Sequence, residues 1–249
     1  MKKYIILALV TILAAVLFVA CDSDVKFNND VAYTEILETD GAFVFNGKNY
    51  ESLQDAINAA AKAKSLAPAK ITLSRDVVSR PIVIPAGAAI ELDLGGYGIS
   101  FVDVEENAIT VEGDSSNLKG GIGGNTYLIL SNGTLSLKDE TKNLSVVNVK
   151  SSFVDFVDAM VLAAEGQFGI YAEDDANITL ESKSDDGASI SGLVYVGENS
   201  FLTLHQDSVI DGIVYIFDSS LVLNGSSSVL ENVIAVDSKV YLNKKACIF

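Results

Sequence analysis

Apolar and polar positions alternate in short runs along most of this chain, and the runs recur. Val194-Tyr195-Val196 returns as Val214-Tyr215-Ile216 and Ile234-Ala235-Val236, at steps of 20 residues, while Leu202-Thr203-Leu204 returns as Leu221-Val222-Leu223 and Val240-Tyr241-Leu242, at steps of 19. A third run is marked by Ile190, Ile210 and Leu230, and an earlier copy stands at Ile170-Tyr171-Ala172, Ile178-Thr179-Leu180 and Ser189-Ile190-Ser191. Three strand-length runs in about 20 residues leave no space for a helix between them, which predicts a coil whose turns lie on one another, a parallel β-helix. A β-sandwich also has short strands about every 8–12 residues, but it does not require the same three runs in the same order.

Within each run, successive side chains take opposite faces of the strand. Val194 and Val196 therefore point inward and Tyr195 outward. Two inward columns are expected, Ile170, Val194, Val214 and Ile234 in one and Leu180, Leu204, Leu223 and Leu242 in the other. The matching outward position holds Tyr171, Tyr195 and Tyr215 before Ala235 ends the series, an aromatic ladder with rings about 4.8 Å apart. Neighbouring aromatics stabilise adjacent strands, and an exposed aromatic row also marks a contact surface.

Upstream, the folded region begins at Ala42-Phe43-Val44-Phe45, with a turn at Asn46-Gly47. Residues 52–63 read as a helix, N-capped by Ser52 with Asp55 near its positive end and Leu53, Ala56, Ile57 and Ala60 as its apolar stripe. Its expected task is to cover the open core and strand edges of the first turn. A second helix is predicted over 152–165, where Phe153, Phe156, Val157, Met160, Val161 and Ala164 keep helical spacing and would rest on the side of the coil. The glycine-rich stretch within 112–125 has no following lysine, so it reads as a loop excursion rather than a phosphate cradle. At the far end Lys244 and Lys245 would blunt the last edge, with Ile248 and Phe249 folding over the core.

The N-terminus changes the expected location. Met1-Lys2-Lys3 precedes an unbroken apolar run from Tyr4 to Ala20, the form of an export signal over 1–20. Leu17-Phe18-Val19-Ala20-Cys21 resembles a bacterial lipobox, which implies acylation of Cys21, a polar tether over 21–41 and a single domain over 42–249. The alternatives are an uncleaved anchor or ordinary secretion. With Cys21 acylated only Cys247 is left, so the mature chain has no intramolecular disulfide. Without Lys2 and Lys3 it carries 15 basic against 33 acidic residues, a net charge of −18 that repels nucleic acid and anionic lipid. Its expected partners are the membrane, through lipid on Cys21, and a glycan or a host or partner protein.

Three stretches together carry a family resemblance: Tyr50 to Ile57, Ile71 to Val77, and Ile90-Glu91-Leu92-Asp93-Leu94-Gly95-Gly96-Tyr97-Gly98-Ile99. They resemble the opening of pectin-lyase-like right-handed β-helix proteins, especially bacterial surface ones, over roughly Ala42 to Phe249. The resemblance implies an all-β fold, a single-stranded right-handed parallel β-helix of about eight turns with an N-terminal capping helix. It does not choose an activity, because that superfamily includes lyases, hydrolases and adhesins.

Enzymes of this type pair acidic calcium ligands with a catalytic arginine, or group aspartates near histidine and arginine motifs. Here the arginines are Arg75 and Arg80, the histidine is His205 alone, and the adjacent aspartates are Asp174-Asp175 and Asp185-Asp186. One imidazole without a nucleophile or second ligand makes no catalytic set. No cofactor is expected, and Glu173, Asp174 and Asp175 are weak calcium candidates at an acidic corner. Two functions follow: a non-catalytic surface module presenting a rigid face for adhesion or glycan or protein binding, or a polysaccharide lyase or glycoside hydrolase.

Overall fold

The structure, a computed structural model, describes residues 41–63, 67–113, 125–139, 141–184 and 187–249. Cys21, residues 1–20 expected as a leader, the expected tether as far as residue 40, Asp185-Asp186 and most of the glycine-rich stretch lie outside the described residues. The fold is all-β with long parallel sheets. Successive repeats pair with one another in three ladders. The main ladder runs through Ala69–Leu73, Ala89–Asp93, the first half of Tyr127–Leu137, the first half of Phe153–Leu162, Asn177–Glu181, Phe201–His205, Ser220–Leu223 and Lys239–Leu242, all parallel. A short ladder runs beside it from Val77–Ser79 to Cys247–Ile248. A separate seven-stranded ladder joins Ile82–Ile84 to Val233–Val236.

The alternation within each run becomes columns of buried side chains. Ile71, Leu92, Leu130, Phe156, Leu180, Leu204 and Leu223 follow one another in register and are buried, because each repeat hides its apolar face against the next. Corners between runs hold residues with positive φ, among them Asp174, Asp175, Glu198, Asn199, Asp218 and Asp237. Asp and Asn tolerate this left-handed conformation better than other side chains, which explains their recurrence there. Buried serines complete one corner. The Ser200 amide donates to Ser219 Oγ and the Ser219 amide to Ser238 Oγ, both at 3.1 Å.

The N-terminal end is closed as expected. Phe43–Phe45 adds antiparallel to Ala69–Leu73, and the hairpin back to Lys48–Tyr50 turns on Asn46 and Gly47, both with positive φ. The helix spans Leu53–Ala60, shorter than the sequence suggests, and buries Leu53, Ala56, Ile57 and Ala60. Its N-cap is Ser52, whose Oγ accepts from the Asp55 amide at 3.3 Å. Gln54 finishes the closure. Its side-chain amide donates to the Val83 carbonyl at 3.0 Å and accepts from the Val83 amide at 2.8 Å, supplying a strand-like pairing to the first edge of the seven-stranded ladder.

Several expectations are corrected. Residues 152–165 form no helix: Phe153–Leu162 is a strand that crosses from the main to the short ladder. Asp158, with φ 49°, inserts one residue at the bend, so the buried positions are Val154 and Phe156 before it and Ala159 and Val161 after it. That phase shift imitates helical spacing over a few residues. The last repeat is also displaced by one. Val233 pairs with Val214 and Ile234 pairs with Tyr215, so Ile234 stands in the outward column and Ala235 follows Ile216. Val229, rather than Leu230, pairs with Ile210, and Leu230 is exposed. Ile248 takes its place in the short ladder and packs, half-buried, against the core, whereas Phe249 is exposed.

Candidate binding face

The outward column of the seven-stranded ladder reads Thr110, Asn148, Tyr171, Tyr195, Tyr215 and Ile234. Tyr171 and Tyr195 stack with ring centroids 4.6 Å apart and planes 14° from parallel. The ring stacked on the other side of Tyr195 is Phe217, at 5.7 Å and 28°, whereas Tyr215 occupies the register position alongside. Gly197 explains the choice. A Cβ there would stand 2.6 Å from Tyr195 Oη and 2.8 Å from its ring, so Tyr195 lies along its own strand over the glycine. Phe217 pairs with Gly197 and meets the ring where it has leaned. Phe168 extends the row, edge-on to Tyr171 at 5.5 Å. All four rings are half-buried. Phe217 was absent from the sequence reading, although its 20-residue step from Gly197 placed it in the adjoining column.

A polar cluster borders this row. Lys150 Nζ reaches Glu173 Oε1 at 3.4 Å and Asp174 Oδ2 at 3.0 Å. Its ammonium is held above the usual range by the hydrogen bond to Asp174 first and that to Glu173 second. Asp174 hydrogen-bonds Glu198, which holds the Asp174 carboxyl below its ordinary value, with Lys150 adding to the effect. Glu198 is pushed the other way, up, by the same contact and by the Asp174 charge, so it keeps the shared proton longer. The phenols of Tyr171 and Tyr195 are raised by burial first and then, among the neighbouring charges, by Glu173 and Glu198; they stay protonated donors at neutral pH.

The calcium candidates are separated by this arrangement. Glu173 and Asp174 face Lys150, while Asp175 lines a shallow groove with Asn199, Phe201, Asp218, Asp237 and Lys239. Among the described residues no three histidine, cysteine or carboxylate groups gather where a metal ion could be held. His205 ends its strand in register with Glu181, beside Thr179 and Gln206. Arg80 lies 3.7 Å from Asp103 on the exposed surface. Arg75 belongs to the first repeat, five strand steps from His205 on the main ladder, or about 24 Å. The structure therefore does not bring the histidine and Arg75 together. Comparison with protein-family models, curated proteins and solved structures finds no match to this chain.

Proposed function

We propose that this chain is an exported lipoprotein, anchored through Cys21 at the outer membrane or cell surface, that binds a glycan on its aromatic row without catalysing a reaction. Its parallel ladders are read as a single-stranded right-handed β-helix of the pectin-lyase-like type, with eight strands along the main ladder. The observation that carries the binding reading is the continuous stack of Tyr171, Tyr195 and Phe217 beside the Lys150 cluster. Rings of this kind offer flat apolar area at low entropic cost, with phenol hydroxyls for orientation. A sugar has a matching pair of surfaces, an apolar C–H face for the rings and hydroxyls for Glu173, Glu198 and Lys150.

The test is Tyr195→Ser and Phe217→Ser, each assayed on a glycan array and by thermal melting. Binding is expected to fall about tenfold or more in both variants. Loss of melting temperature with all binding intact would reduce the row to scaffolding, since aromatic pairs alone stabilise by about 0.5–1.5 kcal/mol. Fatty-acid labelling of wild type and Cys21→Ser tests the anchor. Label present in the first and absent from the second is expected; equal label in both would remove the anchor from this reading.

A further inference from the structure

The aromatic row is bordered by more acceptors than donors. Glu173, Asp174 and Glu198 stand along it, and the ammonium among them, Lys150, is already shared between Glu173 and Asp174. Three carboxylates to one ammonium is a formal excess of two negative charges beside the phenols. An ionised carboxylate only accepts hydrogen bonds. The donors of the row itself are the hydroxyls of Tyr171 and Tyr195, which burial and acidic neighbours keep protonated.

This acidic border continues into a groove. Asp218 directly follows Phe217, the end ring of the stack, and lines a groove of ≈ 380 Å³ with Asp175, Asn199, Phe201, Asp237 and Lys239. That volume falls within the range of small-molecule sites. Phe201 is its apolar wall and is 49% exposed. The carboxylates come from stacked corners: the Asp175 amide donates to the Glu198 carbonyl at 2.9 Å and the Asn199 amide to the Asp218 carbonyl at 2.8 Å, so successive corners stand one strand spacing, about 4.8 Å, apart. The lining again holds three carboxylates to one ammonium. Between Lys183 and Lys239 the chain has eight acidic residues and neither lysine nor arginine, so the corners at Glu198, Asp218 and Asp237 bring no cation with them.

Resting on the glycan reading above, we propose that the row and the groove together select a cationic glycan, a chain of 2-amino-2-deoxy sugar units protonated on nitrogen. The C–H face of the sugar lies on the rings, and its ammonium groups enter the acidic groove beyond Phe217. An ammonium brings three donors and no acceptor, the complement of a carboxylate lining. A sugar hydroxyl donates one proton and leaves the excess charge uncompensated. An N-acetylated unit has lost the positive charge, and a uronate adds an anion to a surface already in excess of negative charge, so both bind more weakly and the uronate most weakly. Specificity comes as much from what the acidic border repels as from what it holds. The carboxylates of Asp175, Asp218 and Asp237 are exposed, so each contributes modestly and the preference is built from several.

Calorimetric titration of the full chain at low salt tests this with oligomers of equal length built from glucosamine, N-acetylglucosamine or galacturonic acid. The glucosamine oligomer should bind about tenfold or more tighter than the acetylated one, with the galacturonate weakest. Asp175→Asn combined with Asp218→Asn removes two charges and keeps residues that tolerate the left-handed corners. It should bring the glucosamine and acetylated oligomers to within about threefold of one another. Tyr195→Ser should weaken both together. An oligolysine of matching charge, which lacks the C–H face for the rings, should bind at least about tenfold more weakly than the glucosamine oligomer. Equal affinity for the amine and acetylated oligomers, a preference for galacturonate, an undiminished preference in the double asparagine variant, or oligolysine binding as tight as glucosamine would each overturn amine selection while leaving glycan binding by the row standing. Binding indifferent to Tyr195→Ser would overturn the row itself and this proposal with it, as would the absence of binding to every oligomer.

Discussion

The two ends of the ladders solve the same problem in opposite ways. Each is an edge of the described stack, in which a repeat is stabilised by the next one covering it. At the N-terminal end a hairpin reverses the pairing direction, a helix lays Leu53 and Ile57 into the core, and Gln54 satisfies the Val83 edge. At the C-terminal end the last repeat keeps the ordinary strand pattern and leaves Val240 and Leu242 exposed. The same alternating sequence is thus core in the middle of the stack and surface at its rim. A repeat encodes its inward face, but burial is conferred by the neighbour.

The largest expected effect would break this contrast if it failed. Ile57→Ala should cost about 2–4 kcal/mol in urea unfolding, because the side chain is fully buried and its cavity cannot collapse fully. Leu242→Ala, at an exposed side chain, should stay within about 0.5 kcal/mol. Equal losses would mean that the rim is covered in solution by part of its own chain.

Next in size, Gln54→Ala removes both hydrogen bonds to Val83 and should cost about 1 kcal/mol, with faster hydrogen exchange at the Val83 amide. Unchanged exchange there would make the glutamine a bystander in closing the edge. The serine column sharpens the comparison by depth. Ser219→Ala leaves the buried Ser200 amide without its acceptor and should cost about 1 kcal/mol, while Ser238→Ala, in the terminal repeat, should cost less than half as much. Paired melting curves would show the ordering.

The smallest effect belongs to the wall between the ends. Asp174 is held below its ordinary value, so its contribution is present above the unfolded pKa and is lost as pH falls through the lower folded one. Glu198 is raised, so its charged form is disfavoured in the fold, and protonation relieves that cost as pH falls through a value above 4.5. The wild type should therefore gain slightly in melting temperature as pH falls through that value toward the ordinary glutamate one, before losing it lower down. In Glu198→Gln the early gain should vanish and the later loss remain.

The period of the runs, the inward column Leu180, Leu204, Leu223 and Leu242, and the Ser52-capped helix can all be read from the amino-acid sequence. Each depends on parity within one strand or spacing within one helix, which are local quantities. Tertiary structure decided the rest. One residue inserted at Asp158 turns a strand pattern into an apparent helix, and one fewer residue between Val214 and Val233 moves Ile234 from the inward to the outward column. Apolar periodicity cannot locate such corner changes, because a left-handed residue shifts the phase without altering the composition. The site has the same origin. Tyr195 meets Phe217 instead of Tyr215 because Gly197 lets its ring lie down, and Lys150 reaches Asp174 of the following repeat. These meetings between side chains about 20 residues apart are set by register accumulated through corners, and only the folded stack adds it up.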